Sequence, residues 1–137
     1  MGLKHALLWL TLVLIAPAQG ADSSMDAPLV LSDTQGYDVG RYLSAVTNKV
    51  RLNWFSVMPE AARKGEKGRV VVLFTIMRDG KVTDQSVVLS SGNQTLDRAA
   101  LAAVELSSPF VALPADFKPE RMVLRYSFRY NIKAEER

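Results

Sequence analysis

Three arginines recur every fourth residue in the run Arg121-Met-Val-Leu-Arg125-Tyr-Ser-Phe-Arg129-Tyr. A guanidinium offers a rigid fork of donors that matches a carboxylate, so a row of them is recognition chemistry directed at acidic groups. On an extended strand, four residues cover about 13 Å and return to the same side. Such a row would select an acidic, extended peptide. The same residues would also serve simply to keep a strand edge soluble, and both uses stand open at the level of sequence.

Bond-making chemistry has less support. The chain has no cysteine and a single histidine, His5. That histidine sits in a segment with the marks of an export signal. Lys4 and His5 precede an apolar run from Ala6 to Ala16, broken only by Thr11, and Ala18-Gln19-Gly20 supplies the small residues of a cleavage site. As a helix the run would be only about 16 Å long, against about 30 Å of bilayer hydrocarbon. Residues 1–20 therefore read as a cleaved signal peptide, and the remaining chain has neither Cys nor His. Disulfides, Cys/His zinc sites and an imidazole general base are excluded from it. Asp79 falls in a turn and Asp97 at a helix start, where structural roles suffice, and Ser90-Ser91-Gly92 reads as a turn rather than a nucleophile. No Ser-x-x-Lys, Gly-x-Ser-x-Gly or phosphate-cradling glycine loop occurs. The expectation is a protein that is not an enzyme, with no metal, cofactor or small-molecule substrate. Loss of Lys4 lowers the basic count from 17 to 16 against 14 acids, and the formal charge from +3 to +2. That is too balanced for a general nucleic-acid binder.

With 137 residues, 48% of them apolar, the chain has room for one domain. Its centre is the stretch Gly68 to Leu89, two β-rich runs hinged on Asp79-Gly80, a pair that predicts a type I′ hairpin turn. In the first run Val70, Val72, Phe74 and Ile76 point one way and Val71, Leu73 and Met77 the other, as in a central strand. The second set would form an apolar patch away from the helices, which supports a homodimer as an alternative reading. Residues 21–36 are small, polar and patternless, and read as a disordered leader. Asp38 is placed to cap a helix from about Val39 to Leu52, with Val39, Tyr42, Leu43, Val46 and Val50 on one face. Asn53-Trp54-Phe55 closes it, and Met58-Pro59 leads into a single turn, Glu60 to Lys64. After the hairpin come a turn at residues 90–93, a second helix from about Thr95 to Leu106, and an irregular connection through Pro109 and Pro114. The final strand alternates Met122, Leu124, Tyr126, Phe128 and Tyr130 with Arg121, Val123, Arg125, Ser127 and Arg129, the period of two of a half-buried strand. Residues 133–137 are a charged tail.

This order predicts an α+β fold in which two helices pack on one face of a three-stranded, antiparallel or mixed sheet. The first hairpin strand lies between the second and the final strand, in the order second, first, third. The final strand is left at a free edge. Backbone groups along roughly Val123 to Tyr130, with Arg121, Val123, Arg125, Tyr126, Ser127 and Arg129, are the candidate partner-binding segment.

The run Gly68-x-Val70-x-Val72-x-Phe74-x-Ile76-x-x-Asp79-Gly80-x-Val82 is followed by Ser90-Ser91-Gly92, Leu96-Asp97-x-Ala99-Ala100-Leu101, Ser108-Pro109-Phe110 and Leu113-Pro114. Together with Tyr42, Asn53-Trp54 and Met58-Pro59-Glu60-Ala61-Ala62, this order resembles the C-terminal domain of the TonB/TolA family, over about residues 37–132. The resemblance implies a periplasmic, non-catalytic domain of the Gram-negative envelope. It further implies that the third strand pairs with an extended peptide of an outer-membrane receptor, in the TonB manner, or that the domain binds envelope partners, in the TolA manner. With its leader cleaved, the chain is expected to be a free binding module; with the leader retained as an anchor, a short energy transducer.

Overall fold

The computed structural model describes residues 22–133. The signal peptide expected over residues 1–20 and nearly all of the charged tail lie outside them. Among the described residues five strands and three helices run in the order β1 (Ser24–Met25), β2 (Leu29–Val30), α1 (Gly40–Ser56), α2 (Glu60–Arg63), β3 (Gly68–Met77), β4 (Val82–Leu89), α3 (Gln94–Ser107) and β5 (Arg121–Tyr130). The sheet order is β1-β5-β3-β4, with β2 also on β5, and every pair is antiparallel. The expected order of the three long strands holds. The expected number of strands does not, because the leader supplies two short ones.

Period two decides which face of the sheet is dry. Val70, Val72, Phe74 and Ile76 of β3 are fully buried, as are Met122, Leu124, Tyr126, Phe128 and Tyr130 of β5. The facing helices supply Tyr42, Val46, Val50 and Trp54 from α1, four residues apart, and Leu96, Ala100, Ala103 and Val104 from α3. Helix α1 continues one turn beyond its expected end, because that turn places Trp54 over β5. The indole meets Phe128 and Tyr130 edge-on at centroid distances of 5.2 and 5.0 Å. Its Nε1–H donates to the Tyr130 hydroxyl at 2.8 Å, and that hydroxyl donates to the Leu96 carbonyl at 2.8 Å. One polar chain thus ties α1, β5 and α3 together inside an apolar core, with each buried donor paired.

The helix starts are satisfied locally. Asp38 Oδ1 accepts from Gly40 N–H at 2.9 Å. Asn93 caps α3, its Oδ1 accepting from the N–H of Thr95 at 2.8 Å and of Leu96 at 3.3 Å. Asp97 closes the preceding turn by accepting from Ser91 N–H at 2.9 Å and from the hydroxyls of Ser90 and Ser91. Burial raises the Asp97 pKa, but these donors outweigh it and the net shift is downward.

The hairpin turn departs from the expected type. A type I′ turn needs positive φ at two consecutive residues, and here only Gly80 has it, at +92°. Gly80 N–H donates to Met77 O at 2.8 Å and Met77 N–H to Lys81 O at 2.8 Å, so the loop has three residues, Arg78-Asp79-Gly80, with glycine in the left-handed position. The turn is docked as well as bent. Phe110 N–H donates to Gly80 O at 2.8 Å, Leu113 N–H to Arg78 O at 3.1 Å, and the Arg78 guanidinium donates to the carbonyls of Pro114, Phe117 and Pro119. A Cβ on Gly80 would stand 2.0 Å from Phe110 O. Gly80→Ala therefore adds a backbone collision to a strained φ and is expected to cost about 2–3 kcal/mol. A denaturant midpoint unchanged from wild type would contradict this account of the turn.

Three buried phenols are expected to make stability fall at alkaline pH. Burial pushes Tyr42 and Tyr126 up to about 12, the Thr47 hydroxyl partly offsetting it at Tyr126, and drives Tyr130 up as well. In the unfolded chain all three ionise near about 10. The native state then holds more protons than the unfolded one above that pH, so stability is complete below about pH 10 and falls as pH rises toward 12. Urea midpoints measured across this range should fall, and tyrosinate absorbance from these rings should develop at higher pH in the folded protein than in the unfolded chain.

Candidate functional site

The expected free edge of the final strand is occupied. On its inner side β5 pairs with β3 along its whole length, from Gly68↔Tyr130 to Met77↔Arg121. On its outer side lie residues 22–32, part of the segment 21–36 read from sequence as disordered. This N-terminal arm pairs Ser24↔Arg129 and Met25↔Phe128 in β1, and Leu29↔Arg125 and Val30↔Leu124 in β2. Its hydrogen bonds identify which backbone groups of β5 face outward. Leu31 N–H donates to Val123 O at 2.8 Å and Asp26 N–H to Ser127 O at 3.0 Å. Val123 N–H donates to Ser32 Oγ at 3.0 Å, and Asn131 N–H to Ser23 Oγ at 3.0 Å. The odd-numbered residues of β5 therefore turn their backbone groups to the arm, and by the period of the strand the even-numbered ones turn theirs to β3.

The arginines divide. Arg121 and Arg125 are exposed on the sheet face away from the helices. Arg129 lies directly opposite Arg69 across the β5–β3 ladder, a like-charge pairing that would be unfavourable if left alone. Both are given other partners: Arg69 Nε–H donates to Ser127 Oγ at 2.8 Å, and the Arg129 guanidinium pairs with Asp26 of the arm. With side chains 18% and 30% exposed, the Arg129–Asp26 pair is shielded enough from solvent to favour an acid at that point. Val123 is half-buried and Ser127 buried. Tyr126 points into the core, its ring stacked on Phe74 and its hydroxyl sharing a 2.6 Å hydrogen bond with Thr47, so its side chain is not part of the outer edge.

The apolar patch expected from Val71, Leu73 and Met77 is smaller than its composition suggests. Val71 is 6% exposed and the other two are half-buried, flanked across the ladder by Ser127, Arg125 and Arg121. The opposite edge of the sheet, β4, carries two register irregularities against β3 and a positive φ at Asp84. Bulges of this kind twist an edge away from added strands. No such break interrupts the pairing of β5 with β3.

Sequence reading missed Ser23, Met25, Asp26, Val30, Leu31 and Ser32. The available trace was Leu29-Val30-Leu31, a short β-rich run between Pro28 and Ser32-Asp33, too brief to stand out by periodicity. Among the described residues no cluster of three or more His, Cys, Asp or Glu could hold a metal ion, and no helix is long and apolar enough to cross a membrane.

Comparison with known proteins agrees with this architecture. A family model described as the Gram-negative bacterial TonB protein C-terminal matches residues 59–132. Protein TonB of Haemophilus influenzae is 29% identical over 107 residues, covering 77% of this chain and 38% of that protein. Protein TonB of Helicobacter pylori strain 26695 is 30% identical over 106 residues, covering 72% of this chain and 35% of that protein. The chain thus spans well under half the length of the curated relatives it matches. The NMR solution structure of the Helicobacter pylori TonB-CTD is similar with a TM-score of 0.51 at 30% identity, over 74% of this chain and 94% of that one. The match runs from the step before α2 through the whole of β5 and takes in more than half of the 137 residues: the chain belongs to the TonB C-terminal domain family.

Proposed function

We propose that this protein is a non-catalytic, periplasmic binding module of the Gram-negative envelope. It takes an extended peptide of an envelope or outer-membrane protein as an added strand along the outer edge of β5, in support of TonB-type transport. The observation that carries the reading is the edge itself. The outward backbone groups of Val123, Ser127 and Asn131 all engage an extended chain that belongs to neither the hairpin nor the helices. Backbone ladders of this kind supply affinity, and flanking side chains supply choice. Arg121 and Arg125, exposed beside that edge, favour a partner with carboxylates.

The test is an NMR titration of the isotope-labelled protein with synthetic peptides taken from the periplasm-facing segments of outer-membrane receptors of the same organism. The outward amides of Val123, Arg125, Ser127 and Arg129 should shift, together with those of the arm. Binding that moves only the exposed sheet face around Leu73 and Met77, with those amides unchanged, would overturn strand addition and favour the open face.

A further inference from the structure

We infer that the N-terminal arm is an internal stand-in for the partner: residues 22–32 occupy the binding edge in cis, must leave before a partner strand can add, and display the chemistry that the partner carries. The inference rests on the strand-addition reading above and deepens it by naming the competitor and the kind of peptide that replaces it.

The arm is built to be held loosely. Its two paired pieces are two residues each, whereas β5 and β3 share ten register pairs. From Met25 to Leu29 the arm advances four residues while β5, from Phe128 to Arg125, advances three, so the register slips by one. The slip falls at Ala27-Pro28, where proline has no N–H to give the ladder. Burial adds little to hold it. Met25 and Val30 are only partly buried against the core, while Leu29 and Leu31 remain 48% and 51% exposed. Few buried apolar contacts and an interrupted ladder are the marks of a segment that opens locally, ahead of the rest of the fold.

What holds the arm defines what can replace it. Asp26 supplies a carboxylate to Arg129 and a backbone N–H to Ser127 O. Met25 and Val30 turn apolar side chains to the helix side, and Leu31 supplies a second N–H, to Val123 O. The partner is therefore an extended peptide with an acidic residue opposite Ser127, from where it reaches Arg129 diagonally, and apolar residues beside it on the core side. A partner of that pattern regains the contacts it displaces, and a longer unbroken ladder, without the Pro28 gap, gives the net gain.

The test uses the full chain with Asp26→Pro and Leu31→Pro combined, which removes both N–H donors and the Asp26 carboxylate while leaving β5 untouched. A second variant, Asp26→Arg, keeps the donors and sets like charge against Arg129. In the double variant the outward amides of Val123, Arg125, Ser127 and Arg129 should exchange with solvent at least about tenfold faster, with those of Leu124, Tyr126 and Phe128 unchanged. A free peptide of residues 22–32 should slow the outward amides again. An arm closed nine-tenths of the time raises an apparent Kd about tenfold, so a receptor-derived peptide should bind the double variant about tenfold more tightly than wild type, with a smaller gain for Asp26→Arg. Unchanged exchange in both variants, or a receptor peptide that binds all three proteins equally, overturns the arm as a competitor. Rebinding of the 22–32 peptide with no receptor peptide binding any form overturns instead the choice of partner.

Discussion

Phe74→Ala is expected to lower folding stability by about 3–5 kcal/mol. Phe74 is fully buried at the middle of β3. Its ring stacks on Tyr126 of β5 at 5.7 Å and on Phe110 of the loop after α3 at 6.3 Å. Truncation removes the apolar transfer term and leaves a cavity among groups that cannot close on it, because Tyr126 is fixed by Thr47 and Phe110 by Gly80. Domains of this size are stable by only about 5–15 kcal/mol, so the variant should retain a small fraction of its margin. Urea unfolding followed by circular dichroism reads the change. A loss under about 1 kcal/mol would mean that the packing around β3 differs from that described.

The residues that organise this core were legible as sequence because burial imposes a period. Met122 to Tyr130 alternates without a break, and one dry face follows from that, while the nearly continuous apolar run Val70 to Ile76 marks the central strand it pairs with. The helices were legible from their three- and four-residue spacing, although α1 runs one turn further because Trp54 has a partner in Tyr130, which no local pattern announces. The turn was half legible: Gly80 takes positive φ as expected, while Asp79 does not, because the loop is pinned from outside by Phe110 and Leu113. Least legible was the arm. Its pairing rests on backbone groups and on two serine hydroxyls, and a segment that borrows its order from a neighbouring strand has no hydrophobic period of its own. For the same reason the arginines appeared free in sequence, although Arg129 has an acid set against it from more than a hundred residues earlier in the chain.

That occupied edge supplies the second large effect, loss of partner binding on Arg125→Pro. Arg125 lies in the middle of β5, opposite Leu29 of the arm, and as an odd-numbered residue it turns its N–H outward. Proline there deletes an outward donor and sets its ring where an added strand must lie. The inner ladder to β3 loses nothing, since Leu124 and Tyr126 carry it. The side chain at this position is exposed, so the core is unaffected. Tyr126→Pro is the contrasting variant. It breaks the β5–β3 ladder and removes a fully buried ring, and should unfold the domain.

The sign of the effect separates edge from arm. Arg125→Pro weakens the arm's pairing too, and if release of the arm were all that mattered, affinity for a receptor-derived peptide would rise. The measurement that decides is the dissociation constant of such a peptide for wild type and for Arg125→Pro, with the fold of each confirmed by circular dichroism and by the dispersed amide signals of β3. Strand addition at β5 predicts that the folded proline variant no longer binds at concentrations that saturate wild type. Equal or tighter binding by the folded variant would contradict it.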